Sequence, residues 1–145
     1  MSDYEEEKPS KEFELVQWTQ HLDDYLPTPG GQSFFHTLKL PGNGDVLKFE
    51  WDKRKDMINI QKHSISFRFA MLVFADEDRL ELIDERHSSS EKREKVIGCI
   101  EVDEDYHVIV VIYTKRFYQG SGFTYRLISA RQATEREVEL YYDQD

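Results

Sequence analysis

The stretch VLKFEWDKRKDMINIQKHSISFRFAMLVFA, residues 46–75, decides the fold, because the spacing of its apolar residues changes along it from a strand period to a helix period. Leu47, Phe49 and Trp51 alternate, as on a half-buried strand. Asp52 then stands where a helix needs a cap, ahead of a short helix expected over Lys53 to Lys62. Ser66 is placed to cap a second helix, in which Phe67, Ala70, Met71 and Phe74 share one face.

Working towards the N-terminus, Phe34, His36, Leu38 and Leu40 alternate, and Pro41-Gly42-Asn43-Gly44-Asp45 breaks the chain before Leu47. The two alternating runs read as a β-hairpin. Further back, Leu15, Trp18, Leu22 and Tyr25 recur at steps of three and four, Ser10 can cap, and Pro27 stops the pattern. A helix over about Lys11 to Leu26 is expected, preceded by a charged, disordered tail from Met1 to Pro9.

Towards the C-terminus four strands should follow in sequence, near Leu80 to Asp84, Lys95 to Val102, His107 to Thr114 and Phe123 to Arg131. Their short links favour an antiparallel meander. Thr134 is set to cap a last helix, Glu135 to Tyr142, with Glu137 at the third position of a capping box. The chain thus reads as an α+β protein: an antiparallel sheet flanked by helices, with an added N-terminal helix and strand. Residues 1–45 form an acidic extension and residues 46–145 the main domain.

At 145 residues the chain can bury a sizeable core without a staple. Cys99 is the only cysteine, so neither an intramolecular disulfide nor a cysteine metal cage can form. Met1 to Lys8 is acidic where a signal peptide is basic and then apolar, and Val108 to Tyr113 is too short to span a bilayer. A soluble, cytoplasmic protein with no membrane contact is expected. Net charge is −10, and residues 1–45 carry more than half of the excess. Such acidity argues against broad, sequence-blind binding of nucleic acid but leaves room for a small cationic cleft.

Phosphodiester cleavage without a metal needs a base for the attacking 2′-hydroxyl, an acid for the leaving oxygen, and cations for charge developing on phosphate. All three types are present. Lys62-His63 ends the first helix of the main domain, Glu91-Lys92-Arg93 precedes a strand, Tyr113-Thr114 ends the next, and Arg126 and Arg131 lie in the last. Taken singly, His63 can equally satisfy terminal carbonyls, either arginine can form a structural ion pair, and Tyr113 can be a core aromatic with a wet hydroxyl. Arg126 and Arg131 are five residues apart, so on a regular strand they face opposite sides, unless a bulge re-aims one of them. The five histidines never fall at metal-ligand spacings, and no phosphate-binding glycine loop is present, so neither metal nor cofactor is expected. Gly120-Ser121-Gly122 lacks the nucleophile-elbow pattern and reads as a strand connection.

Phe49-Glu50-Trp51-Asp52, Asn59, Lys62-His63, Ser66-Phe67, Ala70 and Phe74 follow one another in an order that resembles the BrnT toxins, a RelE-like group. Glu91-x-Arg93, Gly98, Tyr113-Thr114, Arg126, Ile128-Ser129-Ala130-Arg131, Ala133, Glu137 and Tyr141 continue the pattern. The resemblance implies a type II toxin that cleaves RNA without metal and is silenced by a cognate antitoxin. It places catalysis on His63, Lys62, Arg93, Tyr113 and Arg131, and substrate binding on Thr114, Arg126 and Ser129. His63 is the preferred proton carrier, and the scheme fails if His63, Arg93 and Arg131 lie on separate, unconnected faces. Ser64 stands where the family usually has glycine, Arg68-Phe69 replaces an acidic pair, and residues 1–45 have no counterpart. The contrasting reading is a non-catalytic interaction module that kept the fold; a DNA-binding repressor lacks support from any basic stripe or recognition helix. Oligomeric state is open, a homodimer included. If the extension opposes the cleft, deleting residues 1–32 should raise RNA cleavage or toxicity.

Overall fold

The computed structural model describes residues 33–84, 92–120 and 122–144. Its elements run β1 (Ser33–Lys39), β2 (Val46–Asp52), α1 (Lys53–His63), α2 (Phe67–Ala70), a 3-10 helix (Met71–Ala75), β3 (Leu80–Ile83), β4 (Glu94–Val102), β5 (Asp105–Tyr118), β6 (Gly122–Gln132) and α3 (Glu135–Tyr142). The helix expected over Lys11 to Leu26 lies outside the described residues.

The strands form one six-stranded sheet in the order β1-β2-β6-β5-β4-β3. The hairpin of alternating residues forms with Phe34 opposite Trp51 and His36 opposite Phe49, and the meander from β3 to β6 is antiparallel throughout. One expectation needs correction: the sheet is mixed, since β6 returns beside β2 in the same direction, pairing Phe49 with Tyr125 and Glu50 with Arg126. The helices that leave β2 carry the chain across the sheet to its far edge. The meander then walks back from a β3 that runs opposite to β2, and its three reversals bring β6 in parallel to β2.

Local chemistry explains the helical turn-offs. Asp52 accepts a hydrogen bond from the Arg54 N–H at 2.7 Å, and Ser66 Oγ accepts one from the Phe69 N–H at 3.0 Å, each satisfying an orphan donor of a first turn. Buried Asp56 ties the two helices by accepting the Phe67 N–H at 2.8 Å. α1 ends at His63 because Ser64 turns left-handed, with φ 59°.

The core has two layers. Phe49, Trp51, Phe67, Phe74, Val111, Tyr113 and Leu127 fill the space between the sheet and α1, α2 and the 3-10 helix. The 3-10 helix approaches β4 so closely that a Cβ at Gly98 would sit 2.9 Å from Val73 Cβ. On the second face, Tyr141 of α3 packs with Ile97 and Val110. α3 begins with the expected capping box between Thr134 and Glu137.

Candidate active site on the second sheet face

The site is arranged by an irregularity in β6. Ile112 pairs with Ser129 but Tyr113 pairs with Leu127, so Ile128 is an extra residue in β6. The bulge reverses the alternation beyond it. Arg126 opposite Thr114, Ser129 opposite Ile112 and Arg131 opposite Val110 therefore all lie on the second face, the one α3 partly covers. On a regular strand Arg126 and Arg131 would have been divided between the faces.

At one end of this row Arg131 meets α3. Its Nη1 and Nη2 donate to Glu137 Oε1 at 2.8 Å and Oε2 at 3.0 Å, Nη1 also donates to the Gln132 carbonyl at 3.2 Å, and Lys95 Nζ approaches Glu137 Oε2 at 3.3 Å. The hydrogen bonds from Arg131 hold the Glu137 carboxyl down at about 2. Three of the five guanidinium donors are engaged among the described residues, which leaves Nε–H and one Nη2–H for a further anion.

His63 and Lys62 reach the same end from α1. Beyond Arg126, β6 has no strand on its β2 side; instead Asn59 of α1 donates to the Ala130 carbonyl at 2.8 Å and accepts the Ala130 N–H at 3.0 Å, as a neighbouring strand would. This fixes the end of α1 against Ala130 and Arg131. The His63 imidazole is held below its ordinary range, first by partial burial and then by the positive charges of Lys62 and Arg131. An exposed imidazole kept neutral among cations can accept a proton near neutral pH.

At the other end Arg126 joins a second cluster. Its Nη1 donates to Glu50 Oε2 at 2.7 Å and to Ser33 Oγ at 3.2 Å. The Tyr118 hydroxyl donates to Glu50 Oε1 at 2.7 Å, and Arg116 Nη1 lies 3.9 Å from Oε2. Glu50 is 1% exposed, and its burial is offset by these donors. Thr114, opposite Arg126, has a buried Oγ1 without a hydrogen-bond partner among the described residues. Arg93 precedes β4, where its carbonyl accepts the Asp84 N–H at 2.9 Å, and the β4–β5 register carried one step further sets it beside Thr114.

The expected residues are thus brought together only in part. His63, Lys62 and Arg131 share one end of the row. Arg126, Thr114 and Arg93 share the other, and Ser129 lies between them. Tyr113, expected among the catalytic groups, is instead a core residue on the opposite face: it is fully buried, packs on Phe74 and Tyr125, and bonds Glu94 at 3.3 Å. Burial pushes its hydroxyl far up, away from proton exchange. Glu91 lies outside the described residues. Reasoning from sequence passed over Glu50, Tyr118 and Lys95, and gave Glu137 only its capping role. A glutamate between Phe49 and Trp51 on a non-edge strand was the available signal for Glu50.

A family model described as ribonuclease toxin, BrnT, of type II toxin-antitoxin system matches residues 51–137. The chain belongs to that class of ribonuclease toxins, and within it to the BrnT family. No curated protein matches the chain. Among the described residues no helix is long and apolar enough to cross a membrane, and no group of three or more His, Cys, Asp or Glu is arranged to hold a metal ion.

Proposed function

We propose that this chain is an endoribonuclease toxin that cleaves RNA by attack of a 2′-hydroxyl on the adjacent phosphodiester, without a metal, and is restrained by a cognate antitoxin. The observation that supports the reading is the tie between Asn59 and Ala130, which sets the His63 end of α1 against Arg131, where burial and the charges of Lys62 and Arg131 lower the imidazole from its ordinary range. His63 takes the proton of the attacking 2′-hydroxyl; as the 2′,3′-cyclic phosphate forms, the bond from phosphorus to the 5′-oxygen breaks, and that oxygen takes a proton from water. Lys62 and the remaining donors of Arg131 stabilise charge as it develops on the phosphate oxygens. Arg126 and Ser129, on the same face of β6, position the substrate further along, with Arg93 as an added cation and buried Thr114 packed behind Arg126.

A second reading has one observation in its favour: Arg131 is already bound by Glu137, which suits a module that kept the fold for interaction with another protein. Purified protein incubated with RNA in EDTA separates the two. Cleavage lost in His63→Ala and Arg131→Ala supports the ribonuclease; intact RNA at high protein concentration supports the module.

A further inference from the structure

β1 is an edge strand whose two sides differ. Phe34 is 7% exposed, and His36 and Leu38 are half-buried. The His36 ring lies flat on Trp51, with centroids 4.6 Å apart at 11°. Phe35, Thr37 and Lys39, which point the other way, are exposed. The covered side faces the helical layer, where Leu38 and Leu47 join the main core at its margin. Yet the described helices are centred on other strands: α1 on β6 and β2, α2 on β6, and the 3-10 helix on β4.

The layer has a slot at this place. β1 lies two strands from β6, about 9–10 Å at the usual strand spacing, and neighbouring helices pack about 8–10 Å apart. A helix beside α2 would therefore run over β1. The chain enters β1 at Ser33, next to this slot, and the preceding residues carry a helical period. Leu15, Trp18, Leu22 and Tyr25 form an apolar stripe, with Gln20 opposite it. A helix this short draws its stability from burying such a stripe. Over residues 11–26 it is about 24 Å long, which matches about 23 Å for the seven residues of β1. Pro27 to Gln32 link the two and reach up to roughly 20 Å, enough to turn the chain back over the strand.

We propose that residues 11–26 form a helix whose Leu15, Trp18, Leu22 and Tyr25 pack on Phe34, His36 and Leu38 of the same chain and complete the helical layer. This position is on the side of the sheet away from Arg126, Ser129 and Arg131. The extension is then part of the domain's core and leaves the row on the second face open, instead of opposing it. A second copy of the chain, or another protein, laid on β1 would be a competing occupant.

The test uses the full chain. Of its two tryptophans, Trp18 and Trp51, the second is fully buried, so acrylamide quenching of fluorescence reads Trp18. Quenching of the folded wild type should be weak, close to that of Trp18→Phe, and should rise sharply on unfolding in urea. Leu15→Asp/Leu22→Asp should expose Trp18 to quencher and lower the thermal midpoint by several degrees. Gln20→Glu, away from the stripe, should change neither. Trp18→Ala and Leu38→Ala, in contact under the proposal, should cost less together than the sum of their separate losses in midpoint. Strong quenching of Trp18 in the folded wild type overturns the proposal. Additive losses overturn it too, since they place the stripe elsewhere. Sedimentation velocity separates the occupants: a monomer with protected Trp18 at every concentration supports the proposal, and protection lost as a dimer dissociates on dilution gives the slot to a second copy and overturns it.

Discussion

Arg131 and Glu137 form a two-point ion pair, 2.8 Å and 3.0 Å, that joins the last strand to the helix after it. The carboxylate that caps α3 is the one that orients the guanidinium, so a single residue sets both the helix start and the aim of the proposed phosphate-binding group.

The pair makes stability depend on pH in a defined window. With the Glu137 carboxyl lowered to about 2 from an ordinary 4.5, its contribution is present above the higher value and lost as pH falls towards the lower. Unfolding free energy should drop between these limits by on the order of 2 kcal/mol more in the wild type than in Glu137→Gln. Urea titrations of both proteins across the window check it.

Asn59 substitutes for a missing strand at Ala130, and its side chain also donates to the Ile65 carbonyl at 2.9 Å. Asn59→Ala leaves three buried backbone groups without partners. The expected loss is about 2–4 kcal/mol in a denaturant titration. Because the end of α1 is then untied from β6, RNA cleavage should fall beyond what the unfolded fraction explains.

Ser64 occupies a left-handed conformation with φ 59°, which glycine adopts at little cost. Ser64→Gly, the residue usual in the family pattern, should raise stability by roughly 0.5–1 kcal/mol, read as a higher midpoint of thermal unfolding. Gly98→Ala should act oppositely. Its methyl would meet Val73 Cβ at 2.9 Å and the Val73 carbonyl at 3.1 Å, for a cost of about 1–3 kcal/mol.

Cleavage should also follow the protonation of His63. Its imidazole titrates below 6.5, so the base form dominates at neutral pH and is lost as pH falls through that lowered value. A kcat/KM profile with an acid limb below 6.5 in the wild type, shifted upward in Arg131→Met, is expected.

Much of the fold was legible because it is written in local chemistry. Alternation gave β1 and β2, Asp52 and Ser66 announced the two helix starts, and the Thr134–Glu137 box announced α3. Three features were not. The turn between β4 and β5 is made by Asp103 and Glu104 at φ 51° and 72°, without the glycine or asparagine that usually marks it, so β5 begins earlier than the polar break suggested. Parallel pairing of β2 with β6 is decided by the route of the whole chain. The bulge at Ile128 is a matter of register between β5 and β6, and nothing in Leu127-Ile128-Ser129 signals it. The site was legible as a set of residue types, but its grouping depended on that bulge, and Tyr113 was misplaced because the core face continues to the end of β5's apolar run.

The most direct test of the ribonuclease account is analysis of RNA ends after incubation with the purified chain in EDTA. The account predicts fragments bearing 5′-hydroxyl and 2′,3′-cyclic phosphate ends, absent with His63→Ala. RNA that stays intact at excess protein, or a His63→Ala protein that cuts as well as the wild type, would contradict it.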